Sequence, residues 1–157
     1  MDDVMAAQEN VALARSLFDL SNNHQSDPAW LEKSLAAFAA DAESFDVPSG
    51  AILRGPDGYK RFVLFFAENF PDSRVELTKV FATEDEVTLE CTVRWNDTGP
   101  LYLPSGALQS MRRSGELRYC LVFEFRNGRI VSLHSCYDML TQLEQLGLAP
   151  AWGQATE

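Results

Sequence analysis

Leu117-Arg118-Tyr119-Cys120-Leu121-Val122-Phe123-Glu124-Phe125-Arg126-Asn127-Gly128-Arg129-Ile130-Val131-Ser132-Leu133-His134-Ser135-Cys136-Tyr137-Asp138 reads as two strands joined by a two-residue turn. Asn-Gly between alternating apolar runs is a strong hairpin signal, because both residues accept the positive φ of a tight turn. With Asn127 and Gly128 as the loop, Arg126 pairs with Arg129 and Phe125 with Ile130. Unbroken alternation then sets Phe123 against Ser132, Leu121 against His134 and Tyr119 against Cys136. Directly opposed residues share a face. One face is therefore expected to carry Tyr119, Leu121, Phe123, Phe125, His134 and Asp138. The other would carry Arg118, Cys120, Val122 and Glu124 with Val131, Leu133, Ser135 and Tyr137. A slip of one residue would move Asp138 to the opposite face.

Upstream, the period-two pattern continues. Val87, Leu89, Cys91, Val93 and Trp95 alternate with Thr88, Glu90, Thr92 and Arg94, the mark of a half-buried strand. Val75 to Ala82 is a strand joined to it through the polar turn Thr83-Glu84-Asp85-Glu86. Asn96 to Gly115 is a long connection rich in Gly and Pro, with room for a short strand. The first half has helical spacing instead. Asp3 to Asn22 forms one helix, with Val11, Ala14 and Phe18 on one stripe. Asp27-Pro28 starts a second, since Asp caps free N–H groups and Pro suits a first turn. Leu31, Leu35 and Phe38 carry that helix on, to an end before Asp46. Ala51-Ile52-Leu53 is extended. Pro56 opens a third helix with an apolar stripe of Tyr59, Phe62, Val63, Phe66 and Phe70, stopped by Pro71. The tail from Met139 to Leu148 makes a short helical turn ending at Gly147.

Helices followed by strands joined through short turns predict an α+β domain: a curved antiparallel sheet with N-terminal helices packed against it, enclosing a pocket. The 157 residues suffice for a single domain with a real core. The formal net charge is −10, which argues against nucleic acid or an anionic membrane as the main partner. Cys91, Cys120 and Cys136 lack the paired spacing of a zinc site and read as free thiols in a reducing compartment. No apolar signal core follows Met1, and no apolar run reaches membrane-spanning length, so a cytoplasmic location is expected.

The hairpin register makes Asp138 the candidate of interest. A carboxylate at the end of an aromatic-rich face would need a partner or a raised pKa, and such groups serve as general acids or bases. The alternative is a strand-end Asp that is solvated or caps the following turn. His134 on the same face is either a donor to Asp138 or a satisfied core histidine. Tyr119 is either a phenol donor to an oxyanion or a buried Tyr with a backbone partner. Trp95 lies by alternation on the apolar face with Leu89 and Val93.

Several motifs taken in order resemble one family. Pro48-Ser49-Gly50, Leu53-Arg54-Gly55, Phe70-Pro71-Asp72, Phe125-Arg126-Asn127-Gly128-Arg129-Ile130, and Asp138 upstream of Gln145-Leu146-Gly147 resemble the SnoaL-like polyketide cyclases. These belong to the nuclear-transport-factor-2-like superfamily of cone-shaped α+β folds. The resemblance spans about residues 10–148 and implies one such domain over 1–157. It implies an acid/base role for Asp138 in an intramolecular aldol ring closure, a reaction that requires neither metal nor cofactor. It also implies a homodimer through the outer face of the sheet, where Val122, Val131, Leu133 and Tyr137 would offer apolar surface. One stretch departs from the family pattern. Many members carry Gly-Thr-His-x-Gly where this chain has Trp95-Asn96-Asp97-Thr98-Gly99. Trp95 in place of Gly shrinks the pocket, and Asp97 in place of His removes a polar partner. Asp46 stands near the position of the base in ketosteroid isomerases of the same superfamily, though a turn-initiating Asp is the plainer reading.

Two functions therefore compete. One is a cofactor-free cyclase, isomerase or dehydratase with Asp138 and His134 as its catalytic pair. Tyr119, Trp95, Asp97, Leu121, Phe123, Asp46 and Tyr59 would form its pocket, around a small apolar or carbonyl-containing ligand. The other is a non-catalytic module of the same fold, binding a small ligand or another protein.

Overall fold

Asn127 and Gly128 adopt φ of 53° and 71°, the two positive values a type I′ hairpin requires. They join β7 (Gly115–Arg126) to β8 (Arg129–Tyr137). The computed structural model describes residues 2–96, 102–103, 106–107 and 113–148. Ahead of this hairpin come α1 (Asp2–Asn22), α2 (Trp30–Leu35), β1 (Phe38–Asp46), β2 (Ala51–Arg54), α3 (Gly55–Asn69), β3 (Arg74–Ala82), β4 (Glu86–Trp95), β5 (Tyr102–Leu103) and β6 (Gly106–Ala107). After it comes α4 (Met139–Gln145). The main sheet is curled and unclosed, in the order β2-β1-β8-β7-β4-β3, and β5 and β6 pair separately.

The expected register holds for two rungs only. Arg126 faces Arg129 and Phe125 faces Ile130, but Glu124 then faces Ser132, so β8 carries one extra residue at Val131. Every later pair is displaced: Phe123 meets Leu133, Leu121 meets Ser135, Cys120 meets Cys136 and Tyr119 meets Tyr137. This is a β-bulge, and it exchanges the two faces of β8 beyond it. Unbroken alternation would have pressed Ser132, His134 and Asp138 into the core against Phe123 and Leu121. Burying those groups without partners is costly. The bulge instead buries Ile130 and Leu133, at 0% and 2% exposure. Two of the apolar residues expected on the outer face, Leu133 and Tyr137, therefore lie on the inner one. The apolar surface on which pairing of two copies was expected shrinks accordingly.

The second helix is also shorter than its apolar spacing predicts. It ends at Leu35, and Phe38–Asp46 is a strand between β2 and β8, parallel to β8. Ala37, Ala39, Ala40 and Ala42 favour helix locally, but the sheet overrides that preference. Small side chains at Ala39 and Ala42 keep the strand thin where α3 crosses it, and both are buried. Asp27 does organise the start of α2: its carboxylate accepts the Ala29 N–H at 3.0 Å and the Lys33 ammonium at 2.7 Å.

The inner face of the sheet packs on α1 and α3. Ala14 and Leu17 from α1, and Tyr59 and Val63 from α3, meet Leu89, Leu121, Phe123 and Leu133 in one buried cluster. α1 also covers the open edge of β3. The Asn22 side chain donates to the Val75 carbonyl at 3.0 Å and accepts its N–H at 2.9 Å. Unpaired edge groups are a liability, and this amide pair satisfies two of them. Among the described residues, no helix is long and apolar enough to cross a membrane.

Candidate functional site

Between the helices and the sheet lies a cavity of about 120 Å³. Its floor is the inner face of β4, β7 and β8, with Val93, Trp95, Leu117, Tyr119, Leu121, Phe123, Leu133, Ser135 and Tyr137. α1 and α3 roof it, and Gln142 of α4 reaches its wall. The alternation of β4 places Trp95 on this floor as its spacing predicts, and Tyr59, Tyr119, Leu121 and Phe123 also line it. Asp97 lies outside the described residues.

The expected catalytic pair is not in the cavity. Asp138 follows the last residue of β8, exposed, and serves as the N-cap of α4. Its carboxylate accepts the Thr141 N–H at 3.1 Å and the Thr141 hydroxyl at 2.7 Å. These bonds hold its pKa below the ordinary carboxylate value, the Thr141 hydroxyl first. This is the capping role that the sequence left open as the alternative. His134 points to the outer face, where its ring lies 4.5 Å from that of Phe45. Both displacements have one cause, the extra residue at Val131.

A pH dependence follows from the cap. A carboxyl whose folded pKa is depressed stabilises the fold above its unfolded pKa, and that stability is lost as pH falls through the folded value. Asp138→Ala is therefore expected to lower the melting temperature at neutral pH. The gap between mutant and wild type should close as pH drops below about 4, the ordinary carboxylate range. Thermal melts across pH check this. A gap that persists undiminished at the acid end would show that capping charge is not its source.

Tyr137 occupies the place expected of Asp138. It lines the cavity, and the carboxylate behind it is Asp46. Asp46 ends β1 opposite Ser135, on the same face as the buried Ala42 and Ser44. Its Oδ2 accepts the Ser49 hydroxyl. Its Oδ1 is buried and makes no hydrogen bond of normal geometry. Burial, then the negative charge of Asp46, then polar contact with that carboxylate raise the Tyr137 phenol well above its ordinary pKa. Burial likewise raises Tyr59 and Tyr119, and Tyr119 also interacts with the Cys91 thiol. Tyr59, Tyr119 and Tyr137 are thus held protonated, as donors.

Trp95 is fixed rather than free. It packs with Phe70, Leu117 and Leu146, and its ring centroid is 5.1 Å from that of Phe70. Gly115 stands directly opposite, against the indole edge. Gln145 of α4 ties the end of β7 through Glu116, accepting its N–H and donating to its carbonyl, both at 2.8 Å. The Trp95 Nε1 is buried without an acceptor among the described residues. Sequence reasoning missed Tyr137 and Ser135 as cavity residues. The signal for them was the spacing of Ile130 and Leu133: three apart, not two, if both are to be buried.

Comparisons with known proteins agree on the fold. The model of a family described as the SnoaL-like domain matches residues 14–133. No curated protein matches the sequence. A structure from Jannaschia sp. CCS1, named for a SnoaL-like polyketide cyclase, superposes with a TM-score of 0.75 at 16% identity, over 92% of this chain and 95% of that one. AclR from Streptomyces galilaeus, named for a hydroxylase, gives 0.76 at 19% identity, over 94% and 87%. An LEH-like epoxide hydrolase from M. tuberculosis gives 0.66 at 17% identity, over 89% and 90%. At these identities the likeness is one of fold, and the neighbours' names span several chemistries.

Proposed function

Because the chain belongs to the SnoaL-like domain family, we propose that it is an acid/base enzyme for a small carbonyl compound, in which a Tyr137–Asp46 pair moves the proton. The observation that carries this reading is the buried Oδ1 of Asp46 and the polar contact of its carboxylate with a phenol that lines the cavity. A phenol held against a carboxylate is already placed to pass its proton to it. Asp46 itself is not part of the cavity lining, so the proton reaches it through Tyr137.

The step balances as a relay. The phenol oxygen of Tyr137 takes the α-proton of the ligand while its own proton passes to Asp46. The C–H electron pair forms the enolate, whose oxygen is held by Tyr119, the donor directly across the hairpin. Returning the proton to another carbon gives an isomerase. Attack of the enolate carbon on a second carbonyl, with the proton delivered to the new alkoxide, gives a cyclase. The Tyr137 phenolate never has to exist free, which its burial would oppose. A cavity of about 120 Å³ suits a single ring, because one of about 150 Å³ takes benzene.

Cyclopentanone is a suitable probe, with α-hydrogen exchange in deuterated buffer followed by NMR. Tyr137→Phe keeps the ring and removes the relay hydroxyl. The exchange rate should fall about 100-fold or more. Undiminished exchange would refute the relay. A second reading, a binding cavity without catalysis, is favoured by the lack of any carboxylate among the described residues that line it. Under it the wild-type protein would bind cyclopentanone and leave its exchange at the buffer rate.

A further inference from the structure

We propose that Cys120 and Cys136 are a dithiol that closes into an intramolecular disulfide on the outer face of the β7–β8 hairpin, directly behind the cavity. The bulge creates this pair. Unbroken alternation would set Cys136 against Tyr119, whereas the observed register makes Cys120 and Cys136 direct partners. Partners in an antiparallel ladder point to one face and hold their Cα atoms about 4.5–5.5 Å apart. Disulfides span Cα separations of about 4.4–6.8 Å, so the ladder already holds these two residues at a bridging separation of their Cα atoms.

Both thiols are free and half-buried, so a small oxidant reaches them. Burial and the neighbouring Cys120 together raise the Cys136 pKa. That agreement supports the proximity that the ladder implies. Cys91, by contrast, is fully buried on the inner face, with its thiol pushed up to about 12 by burial. It takes no part.

The oxidant class is a hydroperoxide. One thiolate attacks the peroxide oxygen, breaking the O–O bond to give a sulfenic acid and, after protonation, water. The second thiol displaces hydroxide from that sulfenic sulfur, which leaves as a second water with the displaced proton. Two cysteines are oxidised, hydrogen peroxide is reduced, and one S–S bond forms. Thiolate is the reacting form, so closure quickens as pH rises.

The bridge would sit one rung from Tyr119–Tyr137 and one rung from Leu121–Ser135. All four of those residues line the cavity. Oxidation therefore stiffens the cavity wall from behind. Neither the pair nor its chemistry depends on the relay proposed for Tyr137 and Asp46.

The test treats the full chain with hydrogen peroxide, traps remaining thiols with N-ethylmaleimide under denaturing conditions, and reads intact mass and tryptic peptides. The wild-type protein should lose about 2 Da, the mass of two hydrogens, and keep a single alkylatable thiol, mapped to Cys91. A peptide linked through Cys120 and Cys136 should appear and vanish on reduction. Cys120→Ser and Cys136→Ser should each lose the 2 Da shift and accumulate sulfenic or sulfinic acid on the remaining cysteine. Cys91→Ser should still close. Three alkylatable thiols after treatment would overturn the proposal. So would disulfide-linked dimers through Cys120 or Cys136 in place of the internal bridge.

Discussion

Asp46→Asn is expected to reduce α-hydrogen exchange of cyclopentanone by about 10²–10⁴-fold, the usual contribution of a positioned acid or base. The amide keeps the shape of the carboxylate but cannot take a proton. Tyr137 would then have nowhere to pass its own. The fold should survive the change, because Ser49 can still donate to the remaining side-chain oxygen. Asp138→Asn is the matched control. That residue caps α4 outside the cavity, and Asn caps a helix about as well as Asp, so exchange should stay within about twofold of wild type with little change in melting temperature. The pair of variants separates two carboxylates that lie at the ends of neighbouring strands. Loss of exchange in Asp138→Asn with full activity in Asp46→Asn would reverse the assignment.

Gly115→Ala should be the most damaging change of a single methyl group in the sheet. The added Cβ would lie 2.6 Å from Trp95 Cε2, and closer still to Cζ2 and to Gln145 Oε1. Real Cβ contacts do not come so near, so the indole or α4 must move. Trp95 is only 3% exposed and is hemmed in by Phe70, Leu117 and Leu146. Overpacking of this kind costs about 1–3 kcal/mol. For a chain of this length that is roughly 2–10 °C in melting temperature. Trp95→Ala removes the indole, leaving only the flexible end of Gln145 against the added methyl, and opens a cavity at a cost of about 3–5 kcal/mol by itself. The double variant should then be clearly more stable than the sum of the two losses, since the clash with the indole exists only when both groups are present. Strict additivity would show that the added methyl is opposed by Gln145 and not by the indole.

The sheet was largely legible because its signals are local. Asn127-Gly128 dictates a hairpin, the alternation from Val87 to Trp95 dictates a half-buried strand, and both stand where those patterns place them. Trp95 reached the cavity floor for the same reason. Two features were not local. Ala37 to Ala42 has helical composition, and only the sheet on either side makes it a strand. The bulge at Val131 leaves the turn untouched and changes the face of every residue after it. Its trace in the sequence is slight: Ile130 and Leu133 cannot share a face unless one residue is inserted between them. A reading that counts strictly in twos from Asn127-Gly128 therefore places a capping aspartate in the core and turns a cavity tyrosine outward. The helical capping pattern of Asp138-Met139-Leu140-Thr141 was the second clue. Asp46 was visible as a turn residue, but its partnership with Tyr137 depends on the strand crossing and could not be seen.

The register of β8 against β7 decides which carboxylate serves the cavity, and cross-strand Hα–Hα and amide contacts measured by NMR read it directly. Contacts linking Leu121 with Ser135 and Tyr119 with Tyr137 are expected. Contacts linking Leu121 with His134 and Tyr119 with Cys136 would turn Asp138 inward, send Tyr137 to the outer face, and contradict both the relay and the dithiol.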